Sequence, residues 1–146
     1  MNIRLANEAD LGLIMELTAE LASFEELSEE FVASPEQFQE ALFGSEAVVR
    51  VTLATDELGT VVGHALWFPT FSTFLGASGI WLEDLFVRPA ARHQGYATQL
   101  LHDLRARTNG RVEWEVLDWN SSASAFYEGL GAEPHRGWTK FRWLPS

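Results

Sequence analysis

Cysteine is absent from the 146-residue sequence, so disulfide bonds and thiolate chemistry are excluded. Long apolar runs are also missing, because none approaches the roughly 20 residues that a helix needs to cross a bilayer. The first residues, Met-Asn-Ile-Arg-Leu-Ala-Asn-Glu, lack the charged start and the apolar core of a signal peptide. Together these absences predict a cytoplasmic protein with no membrane partner.

Basic residues are scarce. The chain has 10 Lys and Arg against 21 Asp and Glu, which makes the formal net charge −11. Nucleic acid is therefore not an expected partner, because phosphates are bound by clustered Lys and Arg. An acidic surface suits a cationic substrate, although such a surface also simply keeps a protein soluble. The histidines at positions 64, 93, 102 and 135 show no spacing with carboxylates that is typical of a metal site, so no metal is expected.

Hydrophobic periodicity divides the chain into strands and helices. Helical spacing predicts helices over about 9–24, from Ser34-Pro35 to Gly44, from the loop at 92–97 to Asn109-Gly110, and from Ser121 to Gly129. Alternating or apolar runs predict strands near 3–5, 48–54, 61–68, 80–87 and 112–116, a connecting loop at 71–76, and a last strand or hairpin around 138–143. This order predicts an α/β fold, with one domain over residues 1–146 and a mixed central sheet flanked by about four helices.

Residues 80–101 are the centre of this arrangement. An apolar strand is ended by Arg88-Pro89, because proline supplies no donor to a sheet. The loop that follows opens a helix and contains Arg92, a glycine and an alanine, but no acidic residue. Free N–H groups at a helix N-terminus, approached closely past small residues, favour a pyrophosphate site. A plain strand-to-helix turn with a helix-starting glycine explains the loop alone equally well.

Two motifs resemble the GNAT superfamily of N-acetyltransferases. The loop Arg92-His93-Gln94-Gly95-Tyr96-Ala97 is similar to motif A, whose pattern is Arg/Gln-x-x-Gly-x-Gly/Ala. Residues 117–132, with an asparagine, a short helix, Phe-Tyr and Gly-Ala in that order, resemble motif B. The strand Trp81-Leu82-Glu83-Asp84-Leu85-Phe86-Val87 resembles that of the diamine (spermidine/spermine) acetyltransferases and their thialysine-acetylating relatives.

The resemblance implies a donor, acetyl-CoA, and direct transfer of its acetyl group to an amine. In the family, two neighbouring parallel strands splay apart and the pantetheine arm lies between them. The residues expected to bind acetyl-CoA are Leu85, Phe86 and Val87 through backbone groups, Arg92, His93, Gln94, Gly95, Tyr96, Ala97 and Thr98 around the pyrophosphate, and Asn120 on the other side of the arm.

The resemblance implies an acid, and strand alternation beside the expected cofactor backbone suggests a base. Tyr127 would protonate the departing thiolate, since a phenol with an unperturbed pKa near 10 is a suitable donor; the alternative is a core aromatic beside Phe126. Glu83 would take a proton from the acceptor ammonium, or it is a structural carboxylate bonded to backbone N–H groups. Regular alternation places Glu83 on the face of Leu85 and puts Asp84 on the other face, although a bulge could exchange the two.

The acceptor side is less defined. Glu25 matches a family residue that lines the amine site, or it is a solvated helix end. The chain departs from the polyamine enzymes at Ser72 and Phe74, and near Gly137-Trp138 it has His135 and Arg136, where those enzymes are acidic. Fewer anionic ligands would weaken polyamine binding, which favours a smaller diamine or an amino acid side chain as the acceptor. An acetyltransferase for protein N-termini or lysines and a non-catalytic acyl-CoA-binding module remain alternatives.

Exposed-looking aromatics and the resemblance together predict a homodimer. The aromatics meant are Phe71, Phe74, Trp138 and Trp143.

Overall fold

The computed structural model describes all of residues 1–146. The strands are β1 (Asn2–Leu5), β2 (Arg50–Thr55), β3 (Val61–Ser72), β4 (Ala77–Val87) and β5 (Val112–Glu113). The helices are α1 (Leu11–Phe24), α2 (Pro35–Phe43), α3 (Tyr96–Ala106) and α4 (Ser121–Gly129), with short 3-10 turns at Glu8–Asp10, Ser28–Glu30 and Pro89–Ala91. The predicted α/β class and the number of helices are confirmed.

One mixed sheet contains all five strands in the order β1-β2-β3-β4-β5. The first four strands pair in an antiparallel manner, and β4 pairs with β5 in a parallel manner. A parallel connection needs a crossover of a dozen or more residues, and the segment that contains α3 supplies it. The loop at the start of α3 therefore lies at the carboxyl end of β4.

Helices cover both faces of the sheet. Leu66 packs in one apolar cluster with Ile14, Leu17 and Leu21 of α1 and with Leu42 of α2. The next residue of β3, Trp67, lies instead under the guanidinium of Arg107, at the end of α3. Successive side chains of a strand point to opposite faces, so α1 and α2 cover one face and α3 covers the other.

The predicted boundaries hold where a side chain supplies the cap. The hydroxyl of Ser34 accepts a hydrogen bond from the backbone N–H of Gln37, and the side-chain oxygen of Gln37 accepts one from the backbone N–H of Ser34. Helix α2 ends at Gly44 as expected. Asn7 caps the 3-10 turn before α1 in the same way, with Asp10 as its partner. The carboxylate of Asp10 also receives two bonds from Arg4, which hold the pKa of Asp10 below its usual value.

Four expectations are corrected. The predicted loop at 71–76 is shorter, because β3 continues to Ser72 and β4 begins at Ala77, which makes a long hairpin. α3 ends at Ala106 instead of near 109, and β5 covers two residues instead of five. The last strand or hairpin around 138–143 does not form. A strand needs a neighbouring edge to satisfy its backbone groups, and residues 133–146 contain no such pairing.

The chain divides into two compact units, Met1–Trp114 and Glu115–Ser146. The first unit contains the whole sheet with α1, α2 and α3, and the second contains α4 and the irregular C-terminal residues. Within the second unit, Lys140 is paired with Glu115 at 2.7 Å. No helix combines the length and the apolar character that a membrane span needs.

Candidate active site

The edge of β4 that faces β5 is open over its second half. The parallel pairing stops at Ile80 with Val112 and Trp81 with Glu113, so β4 continues without a partner on that side to Val87. The backbone N–H of Arg88 donates to Val62 of β3, and bonded pairs in an antiparallel ladder recur every second residue. The N–H and C=O groups of Leu85 therefore point to the open edge, as the splayed-strand expectation requires.

The loop between β4 and α3 leaves backbone donors at the helix start. His93 and Gly95 have φ angles of 62° and 92°, a left-handed conformation that glycine adopts freely and that is uncommon for histidine. No side chain caps α3, whereas Ser34 and Asn120 cap α2 and α4. The first intrahelical bond is from the N–H of Gln99 to Gly95, so the preceding helical amides have no partner within the helix.

This loop fits an anionic group. A Cβ atom built on Gly95 would meet no atom within 4 Å, so the space beside the loop backbone is open. The amides of residues 96–98 and the positive end of the α3 dipole point into a region that carries no acidic side chain in the sequence from 88 to 99. Gln94 steadies the loop by donating from Nε2 to the carbonyl of Ala90 at 3.2 Å.

The side chain of Arg92 contacts protein groups on both sides of the loop. Its Nε donates to the carbonyl oxygen of Val87 at 2.9 Å. Its guanidinium carbon lies 4.7 Å from the ring centre of Phe24 and 5.6 Å from that of Phe86. Arg92 therefore joins the loop to the end of β4 and to the last residue of α1.

A β-bulge lies at Glu83. On β3 the consecutive residues Leu66 and Trp67 pair with Asp84 and Leu82, so Glu83 is the extra residue of β4. Asp84 consequently shares a face with Phe86, on the side of α1, and Glu83 is exposed. Asp84 is therefore on the face opposite Leu85, as regular alternation predicted. The bulge that was the alternative is present at Glu83, but it places Leu82 and Asp84 on opposite faces and does not move Asp84 to the face of Leu85.

Three carboxylates form an acidic cluster at this point: Glu25, Glu83 and Asp84. Burial raises the pKa of Asp84 to about 6, and the charges of Glu83 and then Glu25 add to the effect. Burial also raises the pKa of Glu25. Glu25 follows directly on α1, whose carboxyl end carries the negative pole of the helix dipole. The cluster is thus a place of negative potential that a cation would neutralise.

The remaining predicted residues of the first unit have simpler environments. Ser72 accepts from the N–H of Leu75 in the tip of the β3–β4 hairpin, and Phe74 is exposed there. Tyr96 is buried, and the exposed His93 and Gln94 follow Arg92 in the loop. No group of three or more His, Asp or Glu side chains is arranged to hold a metal ion.

In the second unit, α4 carries the other two predicted residues. Asn120 is the N-cap of α4, where its Oδ1 accepts from the N–H of Ala123 at 3.3 Å, so the amide NH₂ is the group that could donate to a ligand. Tyr127 is half-buried on α4, and its ring packs against Phe126 with centres 5.5 Å apart. Gly131, with φ 97°, allows the N–H of Ala132 to close the helix on the carbonyl of Tyr127.

Two features of the site were missed by sequence reasoning. Asp84 is the carboxylate whose pKa burial raises furthest, yet sequence reasoning named Glu83 as the base. The contact of Arg92 with Phe24 joins residues 68 positions apart, and no local pattern contains it. Two adjacent carboxylates inside an otherwise apolar strand were the one available signal for Asp84.

Comparisons with known proteins agree with this geometry. The sequence pattern of the Acetyltransferase (GNAT) family matches residues 14–132, a range that extends over both units. Thialysine N-epsilon-acetyltransferase of Mus musculus is 34% identical, with 96% of this chain and 90% of the relative covered. L-ornithine N5-acetyltransferase of Arabidopsis thaliana is 29% identical, with 93% and 81% covered.

Solved structures give the same fold. An integron cassette protein from the mobile metagenome of V. cholerae superposes with a TM-score of 0.80 at 22% identity, covering 99% of this chain and 92% of that one. An aminoglycoside acetyltransferase from a soil metagenomic sample gives 0.81 at 17% identity, covering 99% and 96%. The expected family and the expected acyltransferase class are confirmed. With the motif A loop at the open end of β4 and a family match over most of its length, the chain belongs to the GNAT family of acetyltransferases.

Proposed function

We propose that this enzyme transfers an acetyl group from acetyl-CoA to the primary amine of a small molecule. The observation that carries the proposal is the acidic cluster of Glu25, Glu83 and Asp84 beside the open edge of β4. An amine is an ammonium ion at neutral pH, and such a cation relieves the mutual repulsion of these carboxylates. The relatives that act on thialysine and ornithine support an amino acid side chain as the acceptor.

Acetyl-CoA, when bound, supplies the acetyl group as a thioester. The uncapped start of α3 and the open space at Gly95 fit its pyrophosphate, and the backbone of Leu85 fits the amide groups of its arm. His93, Gln94, Tyr96, Ala97 and Thr98 would contribute loop amides, and Phe86, Val87 and Asn120 remain predicted contacts of the arm.

Asp84 is the base that we propose. A general base works best when its pKa lies near the operating pH, and a carboxyl with a pKa of about 6 satisfies this better than an ordinary one. The acceptor nitrogen loses two protons in the overall reaction. One is returned to the departing sulfur, for which Tyr127 is the predicted donor, and the other leaves through the base to solvent. Glu83, exposed beside Asp84, would orient the ammonium group and relay the proton outward.

The test is thiol release from acetyl-CoA with a panel of amines: thialysine, ornithine, lysine, putrescine, spermidine and a lysine-containing peptide. The proposal expects turnover with the amino acids or the short diamine and little with the peptide. Preferred turnover of the peptide would instead support the protein acetyltransferase. Tight binding of CoA without turnover of any amine would support the non-catalytic module.

We also propose a homodimer. The second unit exposes Trp138, Phe141 and Trp143 at 79%, 91% and 99% of their surfaces, and such aromatics are normally covered. Light scattering at micromolar concentration should give twice the chain mass of 16.4 kDa. A mass of one chain would contradict this proposal. A cytoplasmic location remains a prediction.

A further inference from the structure

The contacts of Arg92 connect two regions that the proposed reaction must bring together. One is the loop at the start of α3, and the other is the carboxyl end of α1 with Glu25. The guanidinium lies over Phe24, which precedes Glu25, and over Phe86, which lies on the same face of β4 as Asp84. Through its Nε it also holds the carbonyl oxygen of Val87, at the end of β4.

We propose that Arg92 is a positioning residue that fixes the motif A loop through its stacking on Phe24, and that this contact couples acetyl-CoA binding to the amine end of the site. The proposal rests on the proposed function for its ligand. The contact itself lies between α1 and the loop, so its effect on the loop can be measured by hydrogen exchange in the absence of ligand.

Three observations make the contact a specific one. The bond from Nε fixes the plane of the guanidinium, which a lysine could not do, because lysine lacks a donor at that position. The 4.7 Å separation from Phe24 is the shortest of the four guanidinium–ring contacts in the described structure. The loop itself is held in an uncommon conformation at His93, with φ 62°, which needs support from its surroundings.

The consequence is a linkage between two sites. If the ring of Phe24 helps to hold the loop amides in their binding conformation, then weakening the ring contact lowers the occupancy of that conformation and the affinity for acetyl-CoA. Coupling is reciprocal, so bound acetyl-CoA should in turn steady the end of α1, where Glu25 follows. Phe24 lies on a different element, 71 residues before Gly95, and it contacts the loop through Arg92.

The experiment compares Phe24→Leu with Phe24→Tyr and with the parent by calorimetry of acetyl-CoA in the absence of amine. A guanidinium–ring contact contributes about 0.5–1.4 kcal/mol, so Phe24→Leu should weaken acetyl-CoA binding about two- to tenfold. Phe24→Tyr keeps a ring and should bind acetyl-CoA as the parent does. Arg92→Lys should weaken it at least as much, because it also loses the bond to Val87.

Arg50→Lys is the matched control. The guanidinium of Arg50 lies 5.5 Å from the ring of Trp67, away from the loop, so this variant loses a similar contact and should bind acetyl-CoA as the parent does. Unchanged acetyl-CoA affinity in Phe24→Leu, with only the KM for the amine raised, would overturn the proposal, since Phe24 would then act only by lining the amine site.

Hydrogen exchange without ligand provides the second readout. The hydrogen-bonded amides at the two ends of the loop, Arg92 and Gln99, should exchange faster in Phe24→Leu than in the parent and Phe24→Tyr, while the amides of β2 should not change. This measurement remains informative if the parent fails to bind acetyl-CoA, a result that would overturn the proposed function alone. Equal exchange of the loop amides in all three proteins would remove Arg92 as their support.

Discussion

Asp84→Asn should make the protein more stable and the enzyme much slower. The pKa of Asp84 is raised from 3.8 to about 6, so the folded protein binds a proton more tightly than the unfolded chain does. The contribution of this carboxyl to the free energy of unfolding is therefore largest below pH 4 and is lost as the pH rises through 6. At pH 8 the ionised side chain is held in the fold at a cost, and asparagine removes that cost.

The magnitude follows from the shift. Two pKa units correspond to about 3 kcal/mol, and because Asp84 is only half-buried, we expect solvent screening to reduce this to about 1–2 kcal/mol. For a chain of this length the melting temperature should rise by about 3–6 °C at pH 8. The gain should shrink as the pH is lowered and become small near pH 4, where the folded carboxyl is protonated and the unfolded one is about half ionised.

The assay combines two measurements on the same samples. Melting temperatures are taken from pH 4 to 8, and thiol release is followed at saturating acetyl-CoA and amine. Asp84→Asn should lower the rate about a hundredfold or more, the usual effect of losing a positioned base. Glu113→Gln, at an exposed carboxylate of β5, is the control and should change neither quantity much.

Two results would refute the reasoning. A melting temperature of Asp84→Asn that equals the parent value at pH 8 would mean that Asp84 carries no electrostatic cost. A parental rate for Asp84→Asn, together with a large loss in Glu83→Gln, would return the base to the residue expected from the sequence.

Further predictions concern the remaining groups. Gly95→Glu should abolish acetyl-CoA binding in calorimetry, because its side chain and charge enter the anion site, whereas Gly59→Glu, at a similar positive φ in the β2–β3 turn, should bind normally and share only the backbone strain. Burial lowers the pKa of His64 from 6.5 to about 4, so the unfolded state binds more protons in that window and stability should fall by up to about 3 kcal/mol between pH 6.5 and 4; His64→Met should remove this part of the pH dependence in urea titrations. Tyr127→Phe should keep acetyl-CoA affinity and lose about a hundredfold in rate, and a parental rate would withdraw the predicted acid. Glu83→Gln should lose most rate at low pH, where the amine is protonated, and a loss independent of pH would contradict a role in handling the proton.

The sequence by itself determined the elements whose signals are local. Ser34, Pro35 and Gly44 predicted the start and the end of α2, because a cap, a preset φ and a helix-ending glycine act within one turn. The motif A loop was predicted in the same way, since the strand, the glycine and the helix that define it are neighbours in the chain. The family followed from these motifs without any knowledge of contacts.

Residues near 138–143 show the limit of that reasoning. Their aromatic composition favours a strand, but a strand exists only where another edge accepts its hydrogen bonds, and the structure contains no such pairing for them. β5 is shorter than predicted for a related reason: its parallel pairing with β4 stops at Trp81, after which β4 has an open edge.

Only the tertiary structure brings Glu25 near Glu83 and Asp84. One extra residue at Glu83 places Leu82 and Asp84 on opposite faces although they are two residues apart, so alternation cannot be carried across Glu83 until the register with β3 is known. The pKa of Asp84 is raised mainly by burial, then by Glu83, and then by Glu25, which reaches the cluster from another part of the chain. Burial and electrostatic effects depend on which residues are close in space, and separation along the chain does not predict this.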